Sequence, residues 1–172
     1  MIKYFPDLSL NPDYKVHDFT YSWFSKHLES MEESSLAYTN NNDFPFQLRF
    51  LWLRTNHEPV TVRVSKSEKE SKIYLKTTSG LGGYEPGSIV KNENRLLSDK
   101  EIKTIIEDLD SLQFWQMAYE KCLMMDGAEW ILEARNENRY HVVTRSSPES
   151  GKFREFCLNL LKLAKYKTKN IY

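Results

Sequence analysis

A glutamate and a histidine in two neighbouring segments are the first residues in this sequence that could do chemistry. Glu133 lies near the end of one apolar segment, and His141 lies near the start of the next. A carboxylate beside an imidazole is the minimum that general acid–base catalysis requires. The alternative is an ordinary cross-strand pair of polar side chains, which contributes about 0.2–1 kcal/mol to stability.

The segments that carry these two residues predict a β-hairpin over 128–135 and 139–145, with residues 136–138 as its loop. In a three-residue loop, Glu133 faces His141. The same register places Glu129 opposite Arg145, which could hold an anion. Because side chains alternate along a strand, all four lie on one face in this prediction. The opposite face then contains Trp130, Leu132, Ala134, Tyr140, Val142 and Thr144, which are typical of a core.

Two further residues are candidates for binding because they lie in predicted turns. His57 follows an apolar segment and precedes Glu58 and Pro59. Tyr84 lies in the glycine-rich sequence GLGGYEPG at residues 80–87. This sequence lacks the G-K-[ST] ending of a phosphate-binding loop and does not lead into a helix, so we predict a tight turn, with a partner-binding tip as the alternative.

Metal and cofactor chemistry is not indicated by the spacing of the potential ligands. Asp126, Glu129 and Glu133 are acidic but have no metal-specific spacing, and the histidines form no H-E-x-x-H pattern. Cys122 and Cys157 lie among apolar residues and predict reduced core thiols. We therefore predict no metal and no cofactor.

The elements around these candidates predict an α+β domain with an antiparallel sheet and packed helices. Residues 1–16 predict an N-terminal arm, and residues 17–172 a single domain. A helix is predicted over 17–32, where Phe19, Trp23, His27 and Met31 recur at steps of four and Phe24 and Leu28 widen the stripe. A second helix is predicted after Ser98 and Glu101, which form a capping box, and a third over 151–165.

Three strands are predicted between the first two helices. The first covers residues 46–54 and has apolar residues at both odd and even positions, so that both of its faces are apolar. This predicts a central strand that is covered on both faces. The second runs from Pro59 and the third includes Ile73 to Thr77, which gives an antiparallel meander. The predicted core includes Trp52, Trp130, Leu132, Val142, Phe156 and Leu160.

Length and charge limit the function classes. The chain has 172 residues, which suits one domain, and 24 basic and 24 acidic residues. This balance does not favour nucleic-acid binding, which needs excess positive charge. No membrane-spanning run or signal-peptide pattern is recognisable, so we expect a cytoplasmic protein.

Several segments resemble a bacterial family of unassigned function. They are WFSKHLESMEESSL (23–36), LRFLWLRT (48–55), HEPVTVRV (57–64), GGYEPG (82–87), FW (114–115), DGAEWILE (126–133) and RYHVVTRSSP (139–148). The resemblance covers roughly residues 20–165, and DGAEWILE with RYHVVTR is its most specific part. It implies a bacterial source but no catalytic role.

Two functional hypotheses remain from the sequence. The first is a non-enzymatic interaction protein with another protein as its partner, either toxin-neutralising (immunity-like) or accessory. Small size, balanced charge, the absence of a cofactor motif and a 13% aromatic content favour it. The alternative is a small hydrolase-like enzyme that uses Glu133 and His141. A cleft that brings these two side chains together would favour the enzyme. The sequence leaves the oligomeric state open.

Overall fold

A six-stranded antiparallel sheet forms the centre of the computed structural model, which describes residues 2–38, 44–121, 127–137 and 139–172. The strands are ordered β4-β3-β2-β1-β5-β6 across the sheet. Their bounds are β1 Phe46–Arg54, β2 Val60–Lys66, β3 Ser71–Thr78, β4 Ile89–Leu97, β5 Ala128–Asn136 and β6 Arg139–Ser146. All nine residues of β1 are buried. This confirms the prediction of a central strand, which rests on apolar residues at both odd and even positions.

Helices cover both faces of this sheet, so the prediction of an α+β fold is confirmed. The described helices are α1 Tyr14–Ser30, α2 Asp99–Ser111 and α3 Lys152–Leu163, with a short 3-10 helix at Phe114–Gln116. Helices α2 and α3 pack on one face, where they enclose Trp52, Trp130 and Leu160. Helix α1 and the N-terminal segment pack on the other face, against Leu51 and Ile131. None of the described helices has the length and apolar character that crossing a membrane requires.

The core agrees with the sequence prediction. Every predicted core residue is at most 7% exposed; these are Trp52, Trp130, Leu132, Val142, Phe156 and Leu160. Cys157 is also buried, and burial raises the pKa of its thiol well above the usual value. The other cysteine, Cys122, lies outside the described residues, as do Asp126, Asn138 and the polar stretch 40–43.

Helix α1 differs from its prediction in position and orientation. It begins at Tyr14, within the predicted N-terminal arm, and Asp13 caps it by accepting hydrogen bonds from two backbone N–H groups. The predicted stripe is wrong at its first member, because Phe19 is 68% exposed. The segment before the helix has no helix or strand among residues 2–13, but Tyr4, Phe5 and Leu10 are buried against the sheet.

Strand β4 was not predicted from the sequence. It lies at the edge of the sheet, and most of its side chains are not buried. Its residues therefore lack the apolar alternation that a half-buried strand displays. Helix α2 follows directly, and its predicted capping box is confirmed: the Ser98 hydroxyl accepts from the Glu101 backbone, and the Glu101 carboxylate accepts from the Ser98 backbone.

The predicted register of the β5–β6 hairpin is wrong by one residue. Asn136, not Arg135, pairs with Arg139, so the loop has two residues. Glu133 therefore lies opposite Val142, and His141 lies opposite Ala134. A shift of one residue moves every side chain of a strand to the other face. Tyr140, Val142 and Thr144 consequently share a face with Glu133, and not with Trp130 as predicted.

Candidate binding cleft

Glu133 is a member of a buried ion network and not of an acid–base pair with His141. Its carboxylate accepts a 2.7 Å hydrogen bond from Arg49 Nε and one of 2.8 Å from the hydroxyl of Tyr140. Arg49 Nη2 lies 2.5 Å from the same carboxylate. Burial outweighs these partners and raises the pKa of Glu133. The predicted pairing of Glu133 with His141 is wrong because the two side chains are on opposite faces of the sheet.

A second carboxylate, Glu33, completes this network from the turn after α1. Glu32 has a left-handed φ of 51°, and the next backbone N–H donates back to the carbonyl of Leu28. This turn places Glu33 over the sheet, where it contacts Arg63 Nε at 2.9 Å, Lys76 Nζ at 2.9 Å and Arg49 Nη1 at 3.3 Å. Burial raises the pKa of Glu33, but these three cations outweigh it, and the net shift lowers the pKa.

The network has the features of a structural element. Arg49, Glu33 and Glu133 are each at most 2% exposed, so a substrate in solvent does not reach their charged groups. The backbone also takes part, because Arg49 donates to the carbonyl of Ser34 at 2.7 Å and Lys76 to that of Met31 at 2.7 Å. Paired and hydrogen-bonded charges of this kind fix the position of one element on another. Here they hold the end of α1 on the sheet.

His141 and Arg145 also have structural contacts, on the opposite face. His141 Nε2 lies 3.0 Å from the carbonyl oxygen of Met117, and its ring packs on Phe114. Arg145 forms a 3.1 Å ion pair with Glu120 and donates to the carbonyl of Ala118. The predicted opposition of Glu129 and Arg145 is wrong for the same reason as the first pair, since Glu129 lies opposite Ser146. The Ser146 hydroxyl donates to the Glu129 carboxylate.

His57 contacts the C-terminal segment. Its Nδ1 lies 2.6 Å from the hydroxyl of Tyr172, whose carbonyl accepts a 3.0 Å hydrogen bond from Trp130 Nε1. Beside it, buried Arg54 donates to the hydroxyl of Tyr166 at 2.9 Å and lies 4.1 Å from the ring centre of Trp52. These contacts fasten residues 166–172 across the end of the sheet.

The other two predicted binding residues, Tyr84 and Glu129, line one cleft. It has a volume of about 610 Å³ and lies between α1, the glycine loop (residues 80–87) and the adjoining ends of β1 and β5. Phe19 and Trp23 of α1 form one wall, and Tyr84 lies on the loop. The complete lining is Phe19, Ser22, Trp23, Lys26, Leu53, Thr55, Gly83, Tyr84, Gly127, Ala128, Glu129 and Ser146.

Hydrogen bonds fix the glycine loop to α1 and to the turn after β1. Gly82 N–H donates to the carbonyl of His57 at 2.9 Å, and the Gly82 carbonyl accepts a 2.7 Å hydrogen bond from Trp23 Nε1. A Cβ at Gly82 would lie 2.6 Å from the backbone N and O of Arg54, so only glycine allows this approach. The loop is therefore a fixed wall of the cleft.

The cleft has two exposed aromatic side chains at its rim. Phe19 is 68% exposed and Tyr84 is 58% exposed, whereas Phe5, Phe24, Phe50 and Phe114 are all essentially buried. Its polar groups are largely engaged within the chain: Lys26 contacts Glu85 at 2.9 Å, and the Thr55 hydroxyl donates to the carbonyl of Gly127. Binding at this cleft would therefore rely on apolar contact with the rings.

Tyr84 and Glu129 are each predicted from the sequence as binding residues, but no sequence pattern indicates that they line the same cleft. Phe19 is not predicted as a site residue, because its four-residue spacing from Trp23 is typical of a buried stripe. The useful signal is the three- and four-residue spacing of Phe24, Leu28 and Met31, which are all buried. These three residues define the buried face of the helix, and Phe19 lies on a different side. Among the residues that the structure describes, no group of three His, Cys, Asp or Glu could hold a metal ion.

Comparisons with known proteins add no family. No family model matches the chain, and no curated protein matches it. Among solved structures, it is similar to a Bacillus halodurans protein described as a "putative adenylate cyclase", with 13% identity over 87% of this chain and 88% of that chain. The TM-score is 0.24, so this similarity carries no argument about function.

Proposed function

We propose that this chain is a non-enzymatic interaction protein that binds another protein at the cleft between α1 and the glycine loop. The observation that carries the proposal is the pair of exposed aromatic side chains, Phe19 and Tyr84, at the rim of a 610 Å³ cleft. Aromatic residues provide much of the energy of protein interfaces, and grouped exposed apolar side chains mark interaction sites.

The chemistry of the cleft favours a protein segment with an apolar side chain as the occupant. Small-ligand sites usually contain a few polar groups that fix the orientation of the ligand. Here Trp23 Nε1, Lys26 and the Thr55 hydroxyl already have partners within the chain. An inserted apolar side chain needs none of these groups, because it gains its energy from contact with the rings.

The hydrolase-like alternative has lost the geometry that motivated it. Glu133 is sealed in the ion network, and His141 lies on the other face of the sheet. A general base must come within hydrogen-bond reach of the proton it removes. We therefore retain the interaction protein and propose, within that class, a toxin-neutralising or accessory protein of the bacterial cytoplasm. Its small size and balanced charge support this narrower proposal.

Partner capture from the native host tests the proposal, with the identified partner then purified for calorimetry. We expect Phe19→Ala and Tyr84→Ala to weaken binding about tenfold each, because truncating an important interface residue costs more than about 1 kcal/mol of binding free energy. Tyr14→Ala is a matched control, because Tyr14 is a 67% exposed aromatic residue on the same helix outside the cleft. A partner that binds the Phe19→Ala/Tyr84→Ala double variant as tightly as the wild type would refute the proposed site.

The genes beside this one test the narrower proposal. A neighbouring toxin gene whose product binds the chain and is neutralised by it would support an immunity-like role. A partner with no toxic activity in the host would instead support an accessory role.

A further inference from the structure

The outer edge of β4 has no strand beside it among the residues that the structure describes. The strand pairs with β3 on its inner side, with a register shift that leaves Val90 unpaired, and it is the last strand of the sheet. In an edge strand, every second residue directs its backbone N–H and C=O away from the sheet, where they can pair with another strand. The nine residues of Ile89–Leu97 are longer than the short edges with which proteins usually prevent such pairing.

The side chains of β4 combine exposed apolar residues with alternating charge. Val90 is 70% exposed and Leu96 is 60% exposed. Lys91, Glu93 and Arg95 follow one another at every second position, so that positive, negative and positive charges share one face. An antiparallel copy of such a strand can place each lysine or arginine opposite a glutamate.

Only some registers are compatible with this charge pattern. A two-fold axis at Glu93 would place two glutamates opposite each other and Lys91 opposite Arg95, which is repulsive. An axis at Asn94 would pair Glu93 with Arg95. Arg95, however, is already held by Glu101 at 2.8 Å and by the carbonyl of Leu163 at 3.0 Å.

An axis at Asn92 avoids both problems. It places Lys91 opposite Glu93 of the second copy, twice in the dimer. Within one chain these two side chains are 3.7 Å apart and 41% and 62% exposed, so they are free to exchange partners.

We propose that two copies of this chain associate through antiparallel β4–β4 pairing centred on Asn92, which joins their sheets into one. The occupant of the edge is a second copy because the charge pattern is complementary to itself in this register. Pairing through the backbone provides affinity, and the two Lys91–Glu93 contacts fix the register. This interface is separate from the cleft and does not depend on the proposed function.

Light scattering after size exclusion, together with sedimentation, tests the proposal on the full chain. The protein concentration should reach about 0.1 mM, because a dimer with a Kd of about 1–10 μM is populated at that concentration and dissociates on dilution. We expect a wild-type dimer and at least about tenfold weaker association for Lys91→Glu and for Glu93→Lys, since each replaces two attractions with two repulsions. The double variant Lys91→Glu/Glu93→Lys should recover the dimer. An equimolar mixture of the two single variants should form a heterodimer.

Controls separate this interface from general effects of charge. Lys103→Glu changes an exposed lysine of α2 that pairs with Glu107, and it should leave the dimer intact. Phe19→Ala/Tyr84→Ala should do the same. A wild-type monomer at every concentration would overturn the proposal, as would a dimer that both single charge reversals leave unchanged. A dimer that Glu93→Lys weakens and Lys91→Glu does not would overturn the Asn92 register.

Discussion

Replacing Glu33 with glutamine removes a carboxylate that three cationic side chains share. Glu33 contacts Arg63 and Lys76 at 2.9 Å each and Arg49 at 3.3 Å. Among the described residues, it provides the only ion pair of Arg63 and of Lys76. Glutamine preserves the shape of the side chain but not its charge, so the variant leaves these cations in the interior without their anion.

The expected cost is about 3 kcal/mol at neutral pH, because breaking one partner out of a buried ion pair costs about 3–5 kcal/mol. The lower end applies because the side chains of Arg63 and Lys76 are 16% and 9% exposed and gain some solvation from water. The net shift lowers the pKa of Glu33 in the folded state. Its contribution is therefore present above the unfolded pKa of 4.5 and is lost as the pH falls through the folded value.

Urea unfolding, followed by tryptophan fluorescence, measures this cost at pH 7 and again near pH 3. Glu133→Gln is a matched control, since Glu133 is equally buried and also contacts Arg49. Burial raises the pKa of Glu133, whereas the net shift lowers that of Glu33, so the two variants should differ in pH dependence: the cost of Glu33→Gln should grow from pH 3 to pH 7, and that of Glu133→Gln should not. A loss below about 1 kcal/mol for Glu33→Gln would refute the reasoning, because broken buried pairs cost more. A cost of Glu133→Gln that grows from pH 3 to pH 7 as much as that of Glu33→Gln would also refute it.

The remaining predictions concern α3 and α1. Leu160→Ala should cost about 2–5 kcal/mol in urea unfolding because Leu160 is 1% exposed, and a loss below about 1 kcal/mol would contradict the packing of α3. Burial lowers the pKa of His27 from 6.5 to about 4. Lys26 also lowers this pKa to a smaller extent, and Glu85 raises it. Stability from neutral His27 is thus present above pH 6.5 and should fall by about 3 kcal/mol towards pH 4. His27→Leu should flatten this part of the unfolding profile, and an unchanged profile would contradict it.

Local signals in the sequence predicted much of the fold. The capping box at Ser98 and Glu101 involves residues three positions apart, so neighbouring structure hardly affects it. The apolar residues of β1 occupy both parities, and only a strand covered on two faces accommodates them. For these elements, the pattern in the sequence and the tertiary packing impose the same requirement.

The cleft depends on contacts that no local pattern contains. Trp23 and Gly82 are 59 residues apart, and their hydrogen bond decides which side of α1 faces the glycine loop. The spacing of Phe19 and Trp23 equally suits a buried stripe, so the sequence did not distinguish a core residue from a rim residue. Strand β4 was missed for a related reason, because an edge strand with exposed side chains needs no apolar alternation.

The apolar pattern of the hairpin leaves the register of His141 against Glu133 undetermined, whereas a constraint on Glu133 itself lies in another strand. Val142 and Val143 are both buried, so apolar residues occupy both parities of β6 and do not select a register. Arg49, however, is the only basic residue between Phe46 and Leu53, in a strand that must be buried on both faces. A buried cation requires an anion, and Glu133 is its cross-strand neighbour in the β1–β5 pairing. The requirement that Arg49 be neutralised therefore accounts for the burial of Glu133 on this face, whereas the face of His141 depends on the loop of two residues between β5 and β6.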